Sequence, residues 1–294
     1  MRKGLVILNP AAGRGRSRRR WPAVAARLRA AGVAFEVLET ERPGQGVEIA
    51  ERASRHYEAV VAAGGDGTVH EVANGLLRAR GGAAFGVLPM GSGDDFAKML
   101  SPRDAVERLA APKPRALDAG VIRSGGEVRY FANGMDIGFG AHGAWNIRRV
   151  PRVFTGLAAY LGAIALTLVR YPKLRVRLRL DDGPPFEQTT AMTAVMNGRA
   201  LGGSFLACPD ARADDGVLDV MVADGVGRLE ILGLVPKFMR GTHVRDPRIR
   251  LARARRVTIE SEAPLLVEAD GEIAFEDARR LEIEVLPGAL RVLG

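Results

Sequence analysis

One aspartate sits in a glycine-rich segment, residues 64–68, that reads Gly-Gly-Asp-Gly-Thr. The segment follows the apolar run 59–63 and precedes an amphipathic pattern that predicts a helix over residues 68–77. The N–H groups of such a loop and the positive end of a helix favour phosphate. Because a carboxylate is not itself a phosphate ligand, Asp66 must hold a metal ion, order water or accept a proton. The segment therefore indicates phosphoryl transfer.

Two further loops, both rich in turn residues, also follow predicted strands. Residues 9–15 read Asn-Pro-Ala-Ala-Gly-Arg-Gly, and residues 89–97 read Pro-Met-Gly-Ser-Gly-Asp-Asp-Phe-Ala. Ligands of open parallel sheets bind beyond the carboxyl ends of the strands, so we expect the three loops to form one site. The spacing of Thr68 and Glu71 predicts a capping box at the helix start. The chain has neither the P-loop pattern G-x-x-x-x-G-K-S/T nor an opening G-x-G-x-x-G.

The elements around these loops predict an α/β fold. Apolar runs and helical patterns alternate over the first 118 residues, which predicts a doubly wound parallel-sheet domain, residues 1–118. Pro22 is expected in the first turn of its helix. Beyond residues 112–114, apolar and polar residues alternate along the predicted strands, as in 174–180. This pattern predicts a second, mainly antiparallel β domain, residues 119–294. The last strand either belongs to this domain or returns to the first one. Helices are expected near 153–170 and 228–240.

The composition fits a globular protein with an anionic partner. The 294 residues are 47% hydrophobic and carry a formal charge of +9, which is compatible with nucleic acid, an anionic membrane surface or a phosphorylated substrate. Aromatic residues, at 5%, are too few for a single-strand nucleic-acid platform. The single cysteine, Cys208, excludes an internal disulfide and fits a reducing cytoplasm. A zinc site is not expected, because the chain has no His/Cys cluster.

Two features bear on a membrane. The apolar run 154–171 contains two glycines, two threonines and an arginine, so we expect a buried or peripheral helix rather than a membrane span. Arginines cluster at Arg148, Arg149 and Arg152, and again at Arg245, Arg248, Arg250, Arg253, Arg255 and Arg256. They form either a solvated basic surface or a surface that docks on anionic lipid.

Taken together, the motifs resemble the catalytic domain of the diacylglycerol kinase family of lipid kinases, in the bacterial branch that includes relatives of sphingosine kinases. The resemblance rests on the three loops, on residues 74–76 (Asn-Gly-Leu), on Asn197 with residues 202–203, on the 209–219 segment, and on Asp270-Gly271-Glu272. It spans nearly the whole chain. Two positions depart from the family pattern, because Ser92 replaces the usual Thr and Asp94 the usual Asn.

The resemblance implies roles for individual residues. Glu272 matches the family's proposed catalytic base. Asp66 is the second catalytic candidate, and together with Asp95 and Asp118 it matches the aspartates of a magnesium–water network. A separate structural magnesium would use the Asp215 carboxylate and the carbonyl oxygens of Arg212 and Val217. The residues implied to contact ATP are Asn9, Pro10, Ala11, Ala12, Gly13, Thr40, Gly65, Asp66, Gly67, Thr68, Val69, His70, Glu71 and Ser92.

The implied activity is that of an ATP- and Mg²⁺-dependent lipid kinase that phosphorylates a hydroxyl of a membrane lipid such as diacylglycerol. The implied partners are the lipid substrate and an anionic membrane surface, to which the cytoplasmic protein would bind peripherally. Nucleic acid is not an expected partner, and the resemblance leaves open whether the protein forms a homodimer. The glycine-rich stretch 133–140 is a candidate to line the acceptor pocket, or else marks tightly packed strand ends. Two alternatives remain: a NAD kinase, which shares the loop around Asp66, and a protein that binds nucleotide or nucleic acid without turnover.

Overall fold

The computed structural model describes residues 3–91, 93–151, 154, 157–170 and 173–294. The predicted ATP contact Ser92, Arg152 and parts of the predicted 153–170 helix therefore lie outside the described residues. The described chain forms two compact units, one of residues 1–118 with 287–294 and the other of residues 119–286.

The first unit is built on a parallel sheet. Its strands are β1 (Gly4–Leu8), β2 (Phe35–Glu39), β3 (Ala59–Gly64) and β4 (Ala84–Pro89), in the order β2-β1-β3-β4. Val292, near the end of the chain, pairs in parallel with Phe85 of β4. The helices are α1 (Ala12–Ala30), α2 (Gln45–Ala53), α3 (Asp66–Ala79) and α4 (Ala105–Ala110), with a short 3-10 helix over Phe96–Met99. Strands β1 and β3 are buried throughout, as continuous apolar runs predict.

Two local predictions for this unit are wrong. Residues 13–15 of α1 have left-handed backbone angles (φ of 58°, 60° and 79°), so Pro22 lies inside the regular helix that follows and not in its first turn. The capping box at Thr68 and Glu71 does not form, because α3 begins at Asp66 and no side chain caps it. The Glu71 carboxylate instead accepts hydrogen bonds from the Gly44 and Gly46 N–H groups, both at 2.8 Å, near the start of α2.

The second unit is mainly antiparallel. Its strands are β5 (Pro114–Ser124), β6 (Glu127–Phe131), β7 (Gly134–Gly138), β8 (Leu174–Leu180), β9 (Phe186–Met196), β10 (Ala200–Leu201), β11 (Phe205–Leu206), β12 (Leu218–Asp224), β13 (Ile249–Ala254), β14 (Arg256–Ala269) and β15 (Glu272–Leu293). The longer strands follow the order β13-β12-β9-β7-β14-β15, with β8 paired to β14 and β9, and β5 to β15 and β6. The helices are α5 (Phe139–Asn146), α6 (Leu157–Arg170) and α7 (Glu230–Arg240), with 3-10 turns at Ile147–Arg149 and Thr242–Arg245.

Side-chain alternation explains the strands of the second unit. On β8, Leu174, Val176 and Leu178 are buried while the arginines between them are exposed, as the period-two pattern predicts. Strands β14 and β15 form the predicted hairpin, in which Ala269 pairs with Glu272. The predicted fold class, a parallel α/β region followed by a mainly antiparallel one, is confirmed. No helix among the described residues is long and apolar enough to cross a bilayer.

Candidate functional site

The three glycine-rich loops lie at the same edge of the parallel sheet. They follow the carboxyl ends of β1, β3 and β4, which are neighbouring strands. The Asn9 N–H donates to the Ala63 carbonyl at 3.0 Å, and the Met90 N–H donates to the Gly64 carbonyl at 2.8 Å. Thr40, at the end of the next strand, donates its N–H to Leu8 at 2.8 Å. The sheet thus brings the predicted phosphate loops together.

Asn9 joins the first loop to the second. Its side-chain amide donates to the Thr68 hydroxyl at 3.1 Å, and its Oδ1 accepts from the Ala11 N–H at 3.0 Å. Thr68 is almost fully buried, in the first turns of α3. Asn9 and Thr68, both members of the predicted ATP set, therefore fix each other and the path of the first loop.

The left-handed turn at residues 13–15 brings the first loop against the third. A Cβ atom on Gly13 would lie 2.9 Å from the Met90 carbonyl oxygen, so only glycine fits this approach. Arg16 donates to the Gly13 carbonyl at 3.3 Å and to the Gly91 carbonyl at 3.4 Å. The arginine side chain thus connects the same two loops.

The Asp66 carboxylate joins the second loop to the third. Its Oδ2 accepts from the Asp94 N–H at 2.9 Å and its Oδ1 from the Asp95 N–H at 2.7 Å. Asp94 has a φ of 52°, a left-handed conformation that Asn and Asp tolerate better than most residues. Its own Oδ1 accepts from the Gly91 N–H at 3.1 Å. Asp66 therefore acts as a clasp, because it fixes the backbone of Asp94 and Asp95 in the third loop.

Two glycines, Gly65 and Gly91, allow the second and third loops to lie close together. A Cβ atom on Gly91 would lie 2.6 Å from the Gly65 Cα, and one on Gly65 would lie 3.3 Å from the Gly91 Cα. The two backbones therefore meet with no room for a side chain on Gly91. Close packing of the two loops is therefore one reason for the glycine at position 91.

The clasp is acidic and partly buried. Burial, and then the nearby charge of Asp95, raise the pKa of Asp66 to about 6, against the two backbone hydrogen bonds that lower it. Burial also raises the pKa of Asp94 above its usual range. Lys98 pairs with Asp95 at 2.6 Å. These carboxylates would favour a cation placed beside them.

The remaining predicted site residues of the first unit make fewer contacts between the three loops. Glu71 binds the start of α2, as described above, and the His70 ring lies 3.3 Å from the Asn74 side-chain amide on the same helix. Gly67 and Val69 lie in the first turns of α3, and Pro10 and Ala12 in the first loop. Asp118, on β5, is buried and accepts from the Gly288 N–H at 2.7 Å. Among the described residues, no three His, Cys, Asp or Glu side chains are grouped as a ready metal site.

Glu272 lies at the hairpin of the second unit. It is the first residue of β15, it is partly exposed, and it follows the Asp270-Gly271 turn. The Asp270 carboxylate accepts from the N–H groups of Ala132, Asn133 and Gly134 at 2.8 to 3.0 Å. The sequence assigned Asp270 to a motif without a role, and the structure shows that it anchors the turn before Glu272.

The predicted structural-metal residue Asp215 has an arginine partner. The Arg253 guanidinium contacts Asp215 Oδ2 and lies 3.8 Å from Asp219, while Asp215 Oδ1 accepts from the Val217 N–H at 3.3 Å. Arg212, in the same loop, lies 3.5 Å from Asp214. The positive charge that a magnesium ion would bring to Asp215 is already supplied by Arg253.

An apolar cavity lies in the second unit. The space between its walls, open mouth included, is about 770 Å³. Helices α5, α6 and α7 and strand β9 supply most of the wall. Phe139 and Gly140, from the glycine-rich stretch 133–140, belong to it, as do Gly143, Ile164 and Phe238. The lining is almost entirely hydrophobic, so the cavity suits a hydrocarbon chain.

Comparison with known proteins gives two family matches. Residues 3–122 match the family described as "Diacylglycerol kinase catalytic domain", and residues 132–294 match "YegS C-terminal NAD kinase beta sandwich-like domain". A Pseudomonas aeruginosa protein named "Probable lipid kinase YegS-like" is 33% identical over 92% of this chain and 88% of its own.

More distant relatives match along the same length. A Bacillus subtilis protein named "Diacylglycerol kinase" is 26% identical over 92% of this chain and 90% of its own. A solved structure described as a diacylglycerol kinase from Bacillus anthracis superposes with a TM-score of 0.73 at 22% identity, over 99% of this chain and 96% of that one. At that identity the superposition shows a shared fold.

Proposed function

We propose that this chain, which belongs to the diacylglycerol kinase family of lipid kinases, transfers the γ-phosphate of ATP with Mg²⁺ to a hydroxyl of a membrane lipid such as diacylglycerol. The predictions of the family and of a lipid phosphotransferase are confirmed by the family matches and by the 33% identical relative. The observation that carries the finer proposal is the Asp66 clasp, which holds two glycine-rich loops together at the carboxyl edge of a parallel sheet.

The nucleotide would bind along this edge. The backbone of residues 9–13 and 65–67 and the positive end of α3 would hold its phosphates, with residues 68–71, Thr40 and Ser92 as further contacts. Most of the catalytic effect in phosphoryl transfer comes from positioning and charge neutralisation, which fixed loops supply.

The residues at the clasp fit a magnesium ion. Each oxygen of the Asp66 carboxylate accepts one backbone N–H and keeps further acceptor capacity, and Asp95 lies next to it. Oxygen donors with retained water are what Mg²⁺ prefers, so we assign Asp66 and Asp95, with Asp118 through water, to hold it. The ion would neutralise charge on the transferring phosphate.

Glu272 is the proposed general base. The attacking lipid hydroxyl must lose its proton as it bonds to phosphorus, and a carboxylate within reach can accept that proton. The Asp270 anchor limits the positions that the turn before Glu272 can take. A fixed base is worth more than a mobile one, because misplacement by about 1 Å can cost about a hundredfold in rate.

The apolar cavity would hold the hydrocarbon part of the acceptor. Gly143 on α5 lines it, and a Cβ atom there would meet no atom within 4 Å. Gly143→Leu should therefore fill the cavity and slow phosphate transfer to long-chain acceptors while leaving transfer to short-chain acceptors and the KM for ATP unchanged. Gly82→Leu is the control, because Gly82 is exposed in the first unit and a Cβ atom there would also meet no atom within 4 Å. Equal kinetics of both variants on long-chain lipid would contradict the assignment.

Membrane docking is proposed through the outer faces of α6 and α7. Val169 and Leu229 are 67% and 79% exposed, and Leu161, Leu166, Leu232 and Met239 are also exposed. Arg240 on α7 and the arginines of the β13 region lie in the same unit, and each contributes about 1 kcal/mol of attraction near an anionic surface. The helices that wall the cavity would thus face the source of its lipid.

Vesicle sedimentation tests this docking. Binding should require anionic lipid and weaken as salt rises, and Leu229→Ser should reduce it while Leu38→Ser, at 48% exposure in the first unit, should not. A homodimer that hides Leu229, or equal binding to neutral vesicles in high salt, would contradict membrane docking.

The activity itself is tested with radiolabelled ATP, Mg²⁺ and a total lipid extract, with NAD in a parallel reaction. The proposal predicts label in a lipid phosphate whose parent lipid identifies the acceptor. Label in NADP with none in lipid would overturn it in favour of a NAD kinase, and ATP binding without any transfer would favour a binding protein.

A further inference from the structure

Two acidic side chains face each other in the core of the second unit. Asp136 on β7 and Glu268 on β14 are in register across the antiparallel pair, and they are 1% and 2% exposed. Residues directly opposite in such a pair have Cβ atoms about 5 Å apart. Two ionised carboxylates at that distance in a buried setting would repel strongly, so the pair needs an explanation.

In each carboxyl group one oxygen accepts a backbone hydrogen bond, which leaves the second oxygen for the other carboxyl group. Asp136 Oδ1 accepts from the Ala141 N–H at 2.6 Å, and Glu268 Oε1 accepts from the Gly271 N–H. Asp136 Oδ2 and Glu268 Oε2 are buried without another partner. A single proton between these two oxygens satisfies both and removes one of the two charges.

Each carboxyl group fixes a different part of the unit. Asp136 binds the first turn of α5, where Gly140 lets the helix approach so closely that a Cβ atom would collide with the carboxylate. Phe139 and Gly140 in that turn also line the apolar cavity. Glu268 binds the Gly271 N–H in the turn before Glu272.

We propose that Asp136 and Glu268 share one proton and act as positioning residues that tie the cavity wall on α5 to the turn that carries Glu272. The inference rests on the proposed function for the roles of the cavity and of Glu272. It adds a link between the lipid chain and the base, since a displacement of α5 would reach the turn through two hydrogen bonds and the shared proton.

The surroundings favour the protonated pair. Burial, and for Glu268 also the neighbouring charge of Asp136, raise the pKa of both groups above their usual range. The in-register neighbours on the outer strands are Ala194 on β9 and Ile273 on β15, which carry no charge.

Titratable groups close to the pair in sequence include His142 on α5, whose ring lies 2.8 Å from the Gly138 carbonyl, and Asp270 and Glu272 in the turn. The charge of Asp270 raises the pKa of Glu268 further and therefore opposes the loss of the shared proton.

The test uses Glu268→Gln and Glu268→Ala. The glutamine of E268Q can donate to Asp136 and accept from Gly271, so it keeps both contacts without a titratable proton, whereas E268A removes both. Glu276→Gln, at an exposed position of β15, controls for the change of charge.

Because the native pKa of Glu268 lies above its unfolded value, the wild type loses stability as pH rises from about 4.5 toward that native pKa. The difference in melting temperature, E268Q minus wild type, should therefore increase with pH. The corresponding difference for E276Q should stay constant. Parallel curves for wild type and E268Q would overturn the shared proton, whether or not the protein is an active kinase.

Phosphate transfer to lipid tests the positioning role. E268A should lower kcat by about tenfold or more, the effect of losing contacts to a charged group, with the KM for ATP unchanged. E268Q should restore kcat and should lack the fall in kcat that accompanies loss of the shared proton as pH rises. A wild-type kcat in folded E268A would overturn the positioning role, and absence of transfer in every protein, wild type included, would instead count against the proposed function.

Discussion

The most informative single perturbation is Asp66→Asn. The side chain keeps its shape and one carbonyl oxygen, but it places an amide NH₂ group where the carboxylate accepts a backbone N–H. The wild-type carboxylate accepts from Asp94 at 2.9 Å and from Asp95 at 2.7 Å. One of these two bonds must therefore break, and the donor that loses its partner faces another donor.

The size of the effect follows from the bond that is lost. A hydrogen bond to a charged group contributes about 1.5–3 kcal/mol. At about 1.4 kcal/mol for each factor of ten, release of the Asp94 and Asp95 backbone should weaken nucleotide binding by about 10- to 100-fold. Global stability should fall by less, because the substitution also removes a buried charge whose cost is visible in the raised pKa of Asp66.

The same pKa sets a pH dependence. Burial raises the pKa of Asp66 from 3.8 to about 6, so the native state holds this proton more tightly than the unfolded chain does. Its contribution to the free energy of unfolding is therefore largest at acid pH and is lost as pH rises from about 3.8 to about 6. D66N lacks this dependence, and the difference between the two proteins should shrink or reverse as pH rises through that window.

The assay is titration with a non-hydrolysable ATP analogue, with and without Mg²⁺, beside chemical unfolding at several pH values. Asp104→Asn is the matched control, because Asp104 caps α4 by accepting from the Val106 N–H at 2.9 Å. That variant keeps a side-chain oxygen at the N-cap, so it should lose less than about 1 kcal/mol of stability and none of its nucleotide affinity. Wild-type affinity in D66N, with Mg²⁺ present, would refute the clasp as the basis of the nucleotide site.

Three other variants test separate parts of the account. Glu272→Gln should lower kcat by about a hundredfold or more in the lipid phosphorylation assay, as loss of a general base does, and a near-normal kcat would exclude Glu272 from proton transfer. Gly91→Ala would place a Cβ atom 2.6 Å from the Gly65 Cα, so the loops must separate and the KM for ATP should rise; an unchanged KM would show that this contact is dispensable. Arg253→Gln removes the partner of Asp215, so Mg²⁺ should raise the melting temperature of this variant more than that of wild type, and equal responses would contradict the role of Arg253.

The sequence was sufficient for the features that depend on local order. Apolar runs followed by glycine-rich loops predicted the parallel strands, and the neighbouring positions of β1, β3 and β4 bring their loops to one edge. The period-two pattern of β8 and the hairpin at Asp270-Gly271 were also predicted, because strand alternation and turn chemistry are local.

Features that depend on tertiary contacts were missed. The spacing of Thr68 and Glu71 fits a capping box, but Glu71 binds the N–H groups of Gly44 and Gly46 because α2 packs beside α3. The Asp136–Glu268 pair requires the register of strands that lie 132 positions apart in the chain, which no local pattern encodes. Both misses concern carboxylates whose partners come from elements distant in sequence.

A crystal structure with a non-hydrolysable ATP analogue and Mg²⁺ tests the central claim most directly. The account predicts that the phosphates contact the backbone of residues 9–13 and 65–68, with the metal ion beside Asp66. A nucleotide bound elsewhere, or an Asp66 side chain with no role around the metal and phosphates, would contradict it.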